Sequence, residues 1–168
     1  VKIKIFILIT LITFSFSAFG QENKEQDIYA IIRVVVLNNK NSDLAIVDTL
    51  STTYLKNKVY RKEIESKINL NRKQKRILKN GDKNDVGILL NRQYLNDFKF
   101  YDYQTIFDVE AVQEKKPFCF LSNPLIFPEL NIAIVNVDIV YKRGIGGSTV
   151  ILKKIGEKWT IIEDIWRY

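Results

Sequence analysis

Residues 131–166 read "NIAIVNVDIVYKRGIGGSTVILKKIGEKWTIIEDIW", and this stretch decides the fold class. β-Branched residues crowd it in runs separated by glycine-containing breaks, the pattern of strands joined by tight turns. "NIAIVNVDIVYK" reads as one strand, "STVILKK" as the next and "KWTIIEDIW" as the third, with "IGEK" as a hairpin turn between the last two. Working backwards, "PFCFLSNPLIF" (117–127) adds a strand bent at Asn123-Pro124. Short connections between about four strands predict an antiparallel meander. On the strand from Ile132 to Tyr141, alternation places Ala133, Val135, Val137 and Ile139 on one apolar face, and Asn136 and Asp138 on the other beside Ile132, Ile134 and Val140. Trp159 and Trp166 fall on opposite faces of a regular strand. Either a bulge at Glu163-Asp164 restores one face, or both faces are covered.

Gly144, Gly146, Gly147 and Ser148 raise the question of a phosphate cradle. A P-loop needs G-x-x-x-x-G-K-[ST] between a strand and a helix, so that several amides and the helix end converge on phosphate. Here a strand follows instead. The glycines are therefore expected to form a corner between two strands.

Towards the N-terminus the period changes. Ile28, Ile31, Ile32, Val35 and Val36 recur at spacings of three and four, which predicts an amphipathic helix with Asp27 as its cap. "LAIVDTLSTTYL" (44–55) reads as a strand. "YRKEIESKINLNRKQKRILKNGDKND" (60–85) reads as broken helix or loop ending in turn residues, and a short helix is expected between Asp102 and Gln113. Helices first and strands afterwards predict an α+β domain, N-terminal helices packing on one face of a curved antiparallel meander.

The first twenty residues have the order of a Sec signal peptide. Lys2 and Lys4 precede an apolar run from Ile5 to Phe16, and Ala18 and Gly20 supply the small residues before a cut between Gly20 and Gln21. That run is short of the ~20 residues a spanning helix needs. Val1, read as an alternative start codon, suggests a bacterial gene. The expectation is a secreted or periplasmic protein whose mature chain, 21–168, is one domain. A chain of that size buries roughly 70% of its unfolded surface, enough for a real core.

The segment 121–166 resembles the C-terminal module of a group of uncharacterised secreted bacterial proteins: a Ser-x-Pro strand, an Ala-Val-rich strand, a glycine-rich loop and a "K..G.W.I" strand pair. Leu121 to Phe127, Ala133 to Tyr141, Gly144 to Ser148, Lys153, Lys154, Gly156, Trp159 and Ile161 carry it. Many members have a cysteine pair around the glycine loop, and "KRGIGG" has none. A more distant likeness is to the cystatin-like or NTF2-like cone, an architectural analogy that implies only a curved antiparallel sheet wrapped on a helix.

The chain contains no histidine, which excludes Cys–His and Ser–His–Asp catalysis. No metal site and no cofactor are expected. Its one cysteine, Cys119, stands between two phenylalanines, where burial keeps a thiol inert. The formal charge of +7 becomes +5 without Lys2 and Lys4. From Lys56 to Lys79 ten Lys/Arg face only Glu63 and Glu65, a local +8, so the rest of the mature chain carries −3. The candidate anion- or partner-binding residues are Lys62, Lys67, Arg72, Lys73, Lys75, Arg76, Lys79 and, near the glycines, Arg143. The alternative is a solvated face. Aromatics are missing from the run after Tyr60, so base stacking and nucleic acid are not expected. The aromatic stretch "YLNDFKFYDYQTIF" (94–107) could form an exposed recognition patch, but core packing is the commoner fate of aromatics at such density.

The expected role is a non-catalytic binding domain for a protein or an acidic glycan or lipopolysaccharide, with no transmembrane span after signal removal and with monomer and homodimer both open. The alternative is a small cone-shaped hydrolase or isomerase with Asp138 as general base and Glu163 or Asp164 as its partner.

Overall fold

The computed structural model describes residues 24–39, 44–51, 57–81, 88–104, 106, 117–142 and 144–167. The signal-peptide reading, with Gly20 and Gln21, and most of the helix expected between Asp102 and Gln113 lie outside them.

The chain is α+β. Helix α1 (residues 24–37) is followed by β1 (Ala45–Val47) and β2 (Thr49–Leu50), then α2 (Lys58–Lys67) and α3 (Arg72–Asn80). Next come β3 (Ile88–Leu89), β4 (Lys99–Tyr101), β5 (Phe118–Leu121), β6 (Leu125–Phe127), β7 (Ile132–Tyr141), β8 (Gly144–Ile155) and β9 (Lys158–Trp166). The main sheet has seven strands, not about four: the order is β4-β1-β5-β7-β8-β9, with β6 also pairing β7. The core β7–β8–β9 is the expected antiparallel meander. β5 and β6 share β7 end to end, so the bend at Asn123-Pro124 lets one long strand pair with two short ones. β1 is the correction, because it lies parallel to both β4 and β5. A three-residue strand has too few side chains to show a period, and its partners lie far along the chain.

The helices are not confined to the N-terminal part, since β1 and β2 separate α1 from α2. Nor do they share one face. Strand alternation explains why. The odd residues Ala133, Val135, Val137 and Ile139 meet α1 through Ile31, Ile32, Val35 and Val36. The even residues Ile132 and Ile134 meet α2 and α3 through Ile64, Ile68, Leu70 and Leu78. Because β7 is apolar on both faces, it needs a layer on each. Fully burying each of these valine, leucine and isoleucine side chains stabilises by about 1.5–3 kcal/mol. A third cluster, Ala45, Val47, Ile106 and Phe118, covers the β1–β5 end.

Asp27 is not the cap of α1, which already runs at residue 24. Its carboxylate accepts from Lys154 Nζ at 2.6 Å and from Trp159 Nε1 at 2.9 Å, fastening α1 to the β8–β9 hairpin. That hairpin turns through Gly156, whose φ of 61° lies in the left-handed region where glycine is free of strain. Further along β9 the register against β8 shifts: Leu152 faces Ile161 while Ile151 faces Glu163, leaving Ile162 extra. This bulge brings Trp159 and Trp166 to the face covered by α1, as the first alternative required, but it lies at Ile162 and not at Glu163-Asp164, both of which are paired with β8. Among the described residues no helix is long and apolar enough to cross a membrane.

Candidate functional site

The basic window folds into two helices, and its charges converge between them. α2 and α3 are joined by four residues, Ile68–Asn71, two of which (Ile68 and Leu70) are buried. Asn57 caps α2 by accepting from Val59 N. Asn71 starts α3 with a reciprocal box: its side chain accepts from Gln74 N at 3.0 Å, and its own N–H donates to Gln74 Oε1 at 2.8 Å. Only Ile64 on α2 and Gln74 and Leu78 on α3 are buried. The apolar residues that hold the pair to the sheet are therefore few, and almost every other position is free to carry charge.

Polar contacts fix the pair in place. Gln74 donates to the Glu129 carboxylate, Tyr60 donates to the carbonyl of Arg167, and Lys67 Nζ lies 3.1 Å from Glu163 Oε1. Glu129 ionises below the usual carboxylate range. Its own backbone N–H is the largest cause, the Gln74 amide the next, and the Lys73 charge adds to both.

Between the helices runs an open groove of about 760 Å³ lined by Arg61, Glu65, Arg72, Lys73, Lys75, Arg76 and Lys79. Six cations thus face one acid, and Glu65 is taken by Lys75 at 3.3 Å. Arg72 and Lys73 occupy the first turn of α3, which holds no acidic residue. Positive charge there adds to the positive end of the helix dipole, an arrangement that costs stability until an anion offsets it.

Five of the expected binding residues, Arg72, Lys73, Lys75, Arg76 and Lys79, come together in this groove. Lys62 and Lys67 are outside its lining, and Lys67 is committed to Glu163. Lys56 and Arg143 lie outside the described residues. Arg61 and Glu65 were missed as members. Their signal is the four-residue spacing, which puts both on one face of α2.

The other candidates separate. Gly146 and Gly147 are not a corner: both are paired residues of β8, opposite Ile139 and Asp138. Asp138, on the α2 side of β7, accepts from Arg167 Nη2 at 2.6 Å, and the same nitrogen bonds Val137 O at 3.1 Å. Asp138 is thus held by an arginine that follows β9, not by either carboxylate expected as its catalytic partner. Glu163 pairs with Lys67 and stands opposite Ile151, four residues along β8 from the Gly147 that faces Asp138. Asp164 points to the opposite face. The three carboxylates are not assembled into an acid–base pair. Cys119 is fully buried, and burial pushes its thiol up to about 12.

No protein-family model, no curated protein and no solved structure matches the chain.

Proposed function

We propose that this chain is a secreted or periplasmic binding domain that holds an anionic partner in the α2–α3 groove, and that it is not an enzyme. The partner is an acidic envelope component, a sulfated or phosphorylated glycan or lipopolysaccharide, or an acidic protein surface. The observation that carries this reading is the groove itself: six cations and one already paired acid line a single open channel. Solubility alone would be served as well by the same charges spread over the surface. The resemblance of 121–166 to modules of secreted bacterial proteins supports the location and leaves the ligand to the groove. The Arg167 guanidinium on Asp138 supports a structural part for that carboxylate.

The test is a salt titration of binding to a heparin-like glycan, to lipopolysaccharide and to an acidic control polymer. It compares the chain with the variant Arg72→Gln/Arg76→Gln/Lys79→Gln. Tight binding to one target, weakened by salt and lost in the variant, is expected. Equal weak binding to all three, or binding that the variant retains, refutes the groove as a site.

A further inference from the structure

A second cleft lies on the other face of the sheet, and its chemistry is the opposite of the groove's. It measures about 360 Å³ and opens between the C-terminal end of α1 and the ends of β7, β8 and β9. That volume is in the range of about 300–1,000 Å³ typical of small-molecule pockets.

Two aromatic side chains wall it. Trp166, the last residue of β9, is 64% exposed, and Tyr141, the last residue of β7, is 41% exposed. An indole left this open is unusual beside a core that buries Trp159 to 6%. The bulge at Ile162 puts it there, by turning Trp166 towards α1 instead of α2. Gly146 lies between the two rings. A Cβ built on it would stand 3.6 Å from the Tyr141 ring and 3.9 Å from the Trp166 ring. Those are ordinary contact distances, so any side chain longer than alanine's would fill the slot. This gives the glycine a reason to be in a strand, where glycine otherwise weakens pairing and packing.

Among the described residues the charge of the lining has one sign: Asp164 is the only carboxylate there, it makes no ion pair with any described residue, and no described Lys or Arg lines the cleft. α1 ends at this cleft, with Asn38 among the lining residues, and a helix C-terminus carries partial negative charge. The faces of the tryptophan and tyrosine rings are negative as well. An anion would be repelled by Asp164 and by the helix end. A sugar would gain the aromatic contact and could donate hydroxyls to Asp164, but being neutral it would gain nothing from the net negative potential. A cation with an apolar surface gains from Asp164, the helix end and the rings.

We infer that this cleft binds an organic cation, an alkylated ammonium group held against Trp166 and Tyr141 with Asp164 as its counter-charge. Aromatic walls suit such a group because its charge is spread over methyl carbons that lose little hydration on burial. The group belongs to a free small molecule, and the primary ammonium of lysine, a compact and strongly hydrated charge, serves as the control. The inference is independent of the anion groove, which lies across the sheet.

The experiment titrates the full chain with choline, with its uncharged isostere 3,3-dimethylbutan-1-ol, with N-acetyl-lysine amide and with glucose, reading binding by calorimetry. Saturable binding of a cation, at least tenfold tighter than that of the uncharged isostere, is expected. Choline should bind ahead of the lysine derivative, and the reverse order overturns the reading of a methyl-rich cation. Asp164→Asn and Trp166→Leu should each weaken the favoured cation roughly tenfold, about 1.4 kcal/mol. Gly146→Val should abolish binding. Because Trp166 is exposed, its variant folds whatever becomes of the glycine variant, and the triple groove variant should bind the cation normally. Equal affinity for choline and its isostere, binding of glucose alone, or no saturable binding of either cation overturns the assignment.

Discussion

Replacing Asp27 by alanine tests how α1 is held on the sheet. Asp27 is one acceptor serving two donors, the Lys154 ammonium at 2.6 Å and the Trp159 indole N–H at 2.9 Å. The two donors differ in what they lose. Lys154 is 29% exposed and can turn to water, so its pair with Asp27 is worth about 0–1 kcal/mol. Trp159 is only 6% exposed, and an orphaned buried donor costs about 1–3 kcal/mol. Asp27→Ala should therefore destabilise by about 1–4 kcal/mol in urea unfolding followed by fluorescence. In a chain of this size that lowers Tm by roughly 2–16 °C. Asp27→Asn keeps an acceptor for the indole and should lose about 1 kcal/mol. The deciding arm is the Trp159→Phe background, which has no indole N–H to orphan. There, Asp27→Ala should cost no more than about 1 kcal/mol. The same large cost in both backgrounds, or a cost below about 0.5 kcal/mol in the native one, refutes the account of a shared acceptor.

Two further outcomes follow from single positions. Cys119 is buried with its thiol pushed up to about 12, so at pH 8–9 it stays protonated and should resist iodoacetamide in the native chain while reacting at once in denaturant. Labelling of the folded protein at the rate of the unfolded one would contradict that burial. Gly156 has φ 61° and open space around it, so Gly156→Ala should cost about 1 kcal/mol through backbone strain alone and Gly156→Asn about half of that. Equal stability of all three by thermal unfolding would show that the hairpin turn relaxes without penalty.

Several elements are legible in the residue order because their signals are local. The three- and four-residue spacing of Ile28, Ile31, Ile32, Val35 and Val36 marks the buried side of α1, and the alternation in 132–139 separates the two faces of β7. Both are consequences of backbone period, which any window of the chain carries. The pair α2 and α3 is harder to read, because four apolar residues anchor it among many charges. The box Asn71-x-x-Gln74 is nonetheless a local start signal. "LAIVDTLSTTYL" reads as a strand and contains β1, but nothing local announces its parallel partners, nor β4 at all. Three-residue strands become strands through partners: Ile46 lies opposite Phe100 on one side and Cys119 on the other.

The candidate sites divide in the same way. Sequence alone determines that the window 56–79 carries +8, that histidine chemistry is absent and that glycine is concentrated before "STVILKK". These are properties of composition and need no neighbours. Only the tertiary structure decides that five of the charges share a groove with Arg61 while Lys62 and Lys67 lie outside it. It also decides that Asp138 meets Arg167, and that Gly146 lies between Tyr141 and Trp166. The physical reason is that each of these facts depends on register. One extra residue at Ile162 reverses which face Trp166 takes, and a bulge depends on how two strands pair, which neither strand's residues state by themselves.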